Sequence, residues 1–166
     1  MLDPFYVWLE ETAFSIWMRE SPSMFAFPGI LAAHTVGLAF VAGLSGALDL
    51  RLLGAARSIP PVAFTRFLPY MWFGLWVNIV TGLAVLMAYP TKALTNPVFY
   101  LKLGLIGAAL LLLRPILRFV RSGSNEVDLT TRLLAAASLA AWAGAIAAGR
   151  LLAYTCVRLT ATSGSC

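Results

Sequence analysis

The stretch HTVGLAFVAGLSGALDLRLLG (residues 34–54) decides how the chain is read. It opens on His34, the only histidine among 166 residues, and passes through fourteen residues without a charge before reaching Asp49 and Arg51. Extended back to Met24, the apolar run reaches the length that crosses a bilayer, for which about 20 helical residues suffice. The whole chain has the same character, being 60% hydrophobic and 11% charged, where a soluble domain carries about 25% charged residues. A soluble fold of this size has no interior large enough for that much apolar surface, so the excess must face lipid.

Four such segments follow one another, at about 24–48, 69–89, 97–121 and 129–154. The second begins at Pro69, which suits a first helical turn, and stops before Pro90. The third has a clear start, with Asn96 as N-cap and Pro97 at the first helical position. Pro115 lies inside it and is expected to kink it. The fourth is capped by Asp128, and the short loop SGSNEVD (122–128) makes the third and fourth spans antiparallel neighbours. Residues 4–20 are too short and too charged to span. They predict an amphipathic helix at the membrane interface, with its tryptophans at headgroup depth, or one folded back over the bundle. The fold class expected is therefore all-α: an integral membrane four-helix bundle with an added N-terminal interfacial helix, forming one domain over 1–166. Asp3, Glu10, Glu11, Arg19 and Glu20 rule against reading the first twenty residues as a secretory signal.

The net charge of +5 does not point to nucleic acid, because the basic residues sit singly at the ends of apolar runs. Arg51, Arg57, Arg66, Arg114, Arg118, Arg121 and Arg132 gather on one side. Arg19, Lys92, Lys102, Arg150 and Arg158 gather on the other. The positive-inside bias then puts both termini outside the cytoplasm, which in a bacterial inner membrane is the periplasm. Cys156 and Cys166 would share that oxidising side, so a disulfide and two inert thiols are both open readings.

Small residues recur every fourth position on two spans, at Ala39, Gly43 and Ala47 and at Ala137, Ala141, Ala145 and Gly149. Helices in lipid associate through such close-packing stripes, so these two are expected to pack together or across a subunit boundary.

Chemistry is concentrated around His34, roughly 10 Å inside the outer boundary at 1.5 Å of rise per residue. An ionisable group at that depth is a functional candidate. Its imidazole suits a metal or haem iron. Gly37, one turn on, leaves flat space for a porphyrin or for another helix. Asn78 and Thr81 on the second span are polar at the same depth, and would hold His34, a quinone or a haem propionate. The plainer reading makes His34, Thr35, Asn78 and Thr81 interhelical glue. Asp49 lies near a helix C-terminus, where a negative charge opposes the macrodipole. A structural ion pair is expected for it, with Arg51 too close in sequence and Arg114, Arg118 or Arg132 better placed. No phosphate loop, zinc constellation or activated nucleophile is present, so the chain is not expected to be an enzyme by itself.

Taken in order, HTVGL (34–38), DLRLLG (49–54), the W-x-x-x-W of 72–76, G-L at 82–83 and NPVFYLKL (96–103) resemble a group of small bacterial four-span membrane proteins classed as a domain of unknown function. The layout is similar to that of membrane b-type cytochromes and copper-resistance membrane proteins. The resemblance implies a small membrane subunit supporting electron transfer, with haem b or quinone near His34 and a periplasmic redox partner. It also implies a second histidine near the end of the third span, where this chain reads LLLLRPILRF (110–119). A haem would then need a weak sixth ligand such as Met71, Met87 or Tyr89, or ligands from two subunits. The alternatives are a non-catalytic anchor or assembly subunit, in a homo-oligomer or larger complex, and a small-solute transporter.

Overall fold

A computed structural model describes residues 3–154. Cys156 and Cys166, and with them the disulfide question, lie outside the described residues. Among the described residues every regular element is a helix: α1 (Asp3–Glu10), α2 (Ala13–Glu20), α3 (Phe27–Leu53), a 3₁₀ helix (Pro61–Phe67), α4 (Leu68–Ala88), the short α5 (Pro90–Leu94), α6 (Pro97–Arg121) and α7 (Leu129–Tyr154). Four of these, counting the 3₁₀ turn with α4, are long and apolar enough to cross a membrane.

Local signals set the ends. Asn96 Oδ1 accepts the Val98 N–H at 2.9 Å with Pro97 in the first turn, and Asp128 Oδ1 accepts the Thr131 N–H at 3.1 Å. These are side-chain caps for orphan amide groups. The first span differs from the expected 24–48. Met24–Ala26 form a turn, and α3 begins at Phe27 with Pro28 behind it. It ends only at Gly54, which adopts φ +116°, a left-handed conformation that glycine takes without a Cβ clash. The Ala55 amide reaches back to the Leu50 carbonyl at 2.9 Å, completing that cap. Asp49 and Arg51 are thus inside the helix. α6 runs through Pro115 without a break.

Contacts between spans are unequal. α3 packs on α4, α7 packs on α6, and α3 joins the two pairs through α7. One core includes Val41, Leu48 and Leu52 of α3, Met71 of α4, Leu113, Ile116 and Val120 of α6, and Ala135 and Trp142 of α7. It lies towards the arginine-rich end, where the 3₁₀ helix fills in beside α3, α4 and α6. Elsewhere the spans expose apolar faces. On α4, Phe73, Trp76, Val80 and Leu83 stand on one side, each more than half exposed. Only 17% of the most apolar stretch of each of the first two spans is buried, and 28% and 33% of the last two. A surface of that kind needs a non-aqueous surrounding.

The small-residue stripes do not meet as expected. Ala39, Gly43 and Ala47 all point outward, and a Cβ on Gly43 would touch nothing within 4 Å. On α7, Ala141 and Ala145 are buried while Ala137 is exposed. The two helices do pack on each other, with buried polar residues beside the apolar ones on the seam. Trp142 Nε1 donates to Ser45 Oγ at 3.0 Å, and Gly46 lies against Leu139.

The N-terminal segment forms two short helices, broken at Glu11–Thr12, folded against the end of α4. The last carbonyls of α4 have no amide partners of their own. Ser15 Oγ donates to the Met87 carbonyl at 2.7 Å, and Arg19 donates to the Ala88 carbonyl at 2.9 Å. Met18 is fully buried beneath, while Trp8 and Trp17 remain exposed.

Candidate functional site

His34 sits a third of the way along α3, half-buried against α4. Its Nδ1 lies 2.9 Å from Thr81 Oγ1. The hydroxyl proton of Thr81 is already committed to the Val77 carbonyl at 2.6 Å, a turn back on its own helix. The oxygen is therefore the acceptor, and His34 donates from Nδ1–H. That assignment leaves Nε2 with the lone pair. Among the described residues Nε2 has no hydrogen-bond partner. An imidazole whose Nδ1–H is held by a neighbour and whose Nε2 is open is the arrangement used for metal ligation and for accepting a proton.

The Asn78 side chain acts on the backbone of His34 rather than on its ring. Its Nδ2 donates to the His34 carbonyl at 2.8 Å, fixing the two helices at this level. Gly82 leaves the imidazole its place, since a Cβ there would stand 3.3 Å from Cε1. Three of the four residues expected at a cofactor site, His34, Asn78 and Thr81, are thus together. Thr35 is exposed and donates to its own helix at Leu31, so it takes no part.

Gly37 is used differently. A Cβ on it would meet the Gly74 carbonyl oxygen at 2.9 Å and the Asn78 nitrogen at 3.0 Å. The flat space beside the histidine is filled by the backbone of α4, so a porphyrin stacked on Gly37 does not fit. The sixth ligands considered for a haem are not level with the ring either. Met71 is ten positions before Thr81 and Met87 six after it, about 15 Å and 9 Å along the axis. Tyr89 packs edge-on against Phe27 at 5.7 Å. Among the described residues no group of three or more His, Cys, Asp or Glu side chains could hold a metal ion.

The chain matches no protein family, no curated protein and no solved structure. The site is therefore read from its own geometry.

Lys102, one of the basic residues expected on the outer side, lays its stem along α7, with the ammonium near Gly149 and its charge within electrostatic reach of His34. Gly149 was legible only as a packing residue, and the lysine stem lies against it at ordinary contact distance.

The ion pair expected for Asp49 does not form. Asp49 is fully buried on the α3–α7 seam, and neither carboxylate oxygen has a hydrogen-bond partner. Ser138, its polar neighbour across the seam, is also fully buried with an unsatisfied hydroxyl. Arg51 turns away and donates to the carbonyls of Ile59 and Arg57, closing the loop after α3. Arg114 and Arg118 are exposed, on the outward face of α6. Helix direction explains the difference: Asp49 follows Ser45 by one turn and points into the seam with it, whereas the arginines lie on faces that leave the core.

Proposed function

We propose that the chain is a small multi-pass membrane subunit that supports electron transfer by holding a quinone-type headgroup at His34. The observation that carries this reading is the 2.9 Å contact of His34 Nδ1 with Thr81 Oγ1, whose own proton goes to Val77; it favours the Nδ1–H tautomer and so leaves the Nε2 lone pair for a hydroxyl donor at membrane depth. A quinol hydroxyl would donate to Nε2. Lys102 would supply a cation nearby for a carbonyl or phenolate oxygen. In this reading the arginine-rich end faces the cytoplasm of a bacterial cell, both termini face the periplasm, and α1 and α2 lie at the outer interface with Trp8 and Trp17 among the headgroups.

The test is binding of a short-chain quinone to the purified chain in mild detergent, read by quenching of tryptophan fluorescence. Saturable quenching that disappears in His34→Ala, with helicity unchanged, is the expected outcome. Quenching that is linear and identical in both proteins reports partition into micelles and sinks the reading. A haem-supplied preparation with a Soret band that His34→Ala removes would replace the quinone with a haem.

A second reading, an anchor or assembly subunit in a homo-oligomer or larger complex, is favoured by the outward stripe of Ala39, Gly43 and Ala47. Small-residue stripes facing lipid allow close helix approach. Gly43→Leu would then reduce the particle mass in detergent while leaving helicity unchanged.

A further inference from the structure

At the arginine-rich end, the loop after α3 and the loop before α7 enclose a cavity of about 510 Å³. Arg51, Arg57 and Arg132 line it, with Ser58 and Asn125 beside them and Glu126 as the acidic member. Its construction is specific. The Arg51 side chain is 7% exposed and pinned by two backbone carbonyls, so its guanidinium is held in place before any ligand arrives. The Arg57 guanidinium lies over Gly54, 3.2 Å from where a Cβ would be, so the left-handed glycine that ends α3 also makes room for this arginine. Among the described residues none of the three arginines is in ion-pair contact with a carboxylate. Asp49, the acid nearest in sequence to Arg51, faces the α3–α7 seam instead.

Three guanidinium groups around one cavity, one of them buried, repel one another unless an anion lies between them. Guanidinium forks match the oxygens of a phosphate better than any other common anion. We propose that this cavity binds a phosphate-bearing anion, with Arg51, Arg57 and Arg132 as its donors. Its place at the ends of the apolar helices is level with the headgroups of a bilayer, where anionic phospholipid phosphates are concentrated. The same chemistry would accept a free phosphate compound from the aqueous side.

The test uses the full chain in neutral detergent and follows its thermal unfolding with three additions: phosphatidylglycerol, phosphatidylcholine or inorganic phosphate. Phosphatidylglycerol should raise the midpoint by several degrees, and phosphatidylcholine should not. The variants Arg57→Gln and Arg132→Gln, chosen because neither side chain is buried, should unfold no earlier than the parent without additives, since each relieves repulsion in the empty cavity. Each should bind phosphatidylglycerol about tenfold more weakly, the loss expected for charged hydrogen bonds to one fork. A shift with inorganic phosphate equal to that with phosphatidylglycerol supports the site and assigns it to a soluble anion. A shift confined to the lipid assigns it to the headgroup. No shift with either anion, or shifts unchanged in both variants, overturns the proposal.

Discussion

Gly37 and Gly74 bring the backbones of α3 and α4 into contact: a Cβ on Gly74 would stand 2.8 Å from the Gly37 carbonyl oxygen. It would also stand 2.5 Å from the Phe40 Cβ, and neither a carbonyl oxygen nor a Cβ can swing aside as the end of a side chain can. Gly37→Ala or Gly74→Ala should therefore force the helices apart and destabilise the chain by about 1–3 kcal/mol, as overpacking does. Because the His34–Thr81 bond spans the same pair of helices, either variant should also weaken ligand binding at His34. Gly107→Ala is the control: a Cβ there meets nothing within 4 Å, and up to about 1 kcal/mol of helix propensity is gained. Thermal unfolding in one detergent orders the three.

The Trp142–Ser45 bond predicts an asymmetry. Ser45→Ala leaves the indole N–H buried without an acceptor and should cost about 1–2 kcal/mol. Trp142→Phe leaves a serine hydroxyl that can turn to a carbonyl of its own helix, so its polar penalty is smaller. Chemical denaturation of both variants, with near-ultraviolet dichroism to confirm packing, reads the difference. Equal polar costs in the two would mean that the bond does not carry the seam.

Asp49 should be worse for stability than its neutral isostere. A carboxylate charge on the seam has no cation, and the Ser138 hydroxyl beside it is outside hydrogen-bond geometry, while an amide carries no charge to desolvate. Asp49→Asn is expected to raise unfolding stability by about 1 kcal/mol or more. A large loss instead would mean that the carboxylate is held by a partner or ion in the working protein. Intramembrane acids retained at a cost to stability are commonly functional.

Asp128 gives the acid dependence. The hydroxyl of Thr131 and then its amide hold the Asp128 carboxyl below the usual carboxylate range. A lowered folded-state value means that the stabilising effect is complete above the unfolded value, about 3.9, and fades as pH falls through the folded one. The start of α7 should fray more readily below about pH 4, and Asp128→Asn should remove that part of the acid response. Amide exchange at Thr131 and Arg132 across the acid range measures it.

The spans were legible because a run of about 20 apolar residues has few other uses, and the caps at Asn96 and Asp128 because they need one side chain each. The inner faces were not, because in lipid the outside of a helix is as apolar as the inside. The alanine and glycine stripes were read as contacts on that basis, and the stripe on α3 faces outward. The informative residues were the few polar ones: Ser45 and Asp49 are one turn apart, Thr131 and Ser138 two, and all four are buried. Gly54 was a readable stop signal that would have carried α3 past Leu48 and brought Asp49 and Arg51 inside the helix. His34, Asn78 and Thr81 were found together because intramembrane polar groups seek one another. The use of Gly37 required knowing which helix lay against it. The arginine cavity depends on two loops meeting, which no local pattern encodes.

The anchoring of α1 and α2 carries a consequence for how the chain is made. Ser15 and Arg19 are translated 72 and 69 residues before the carbonyls that they serve. The first twenty residues therefore leave the ribosome with nothing to dock on, and two long helices must be inserted before the end of α4 exists. The segment 3–20 is among the last parts of the fold to be finished.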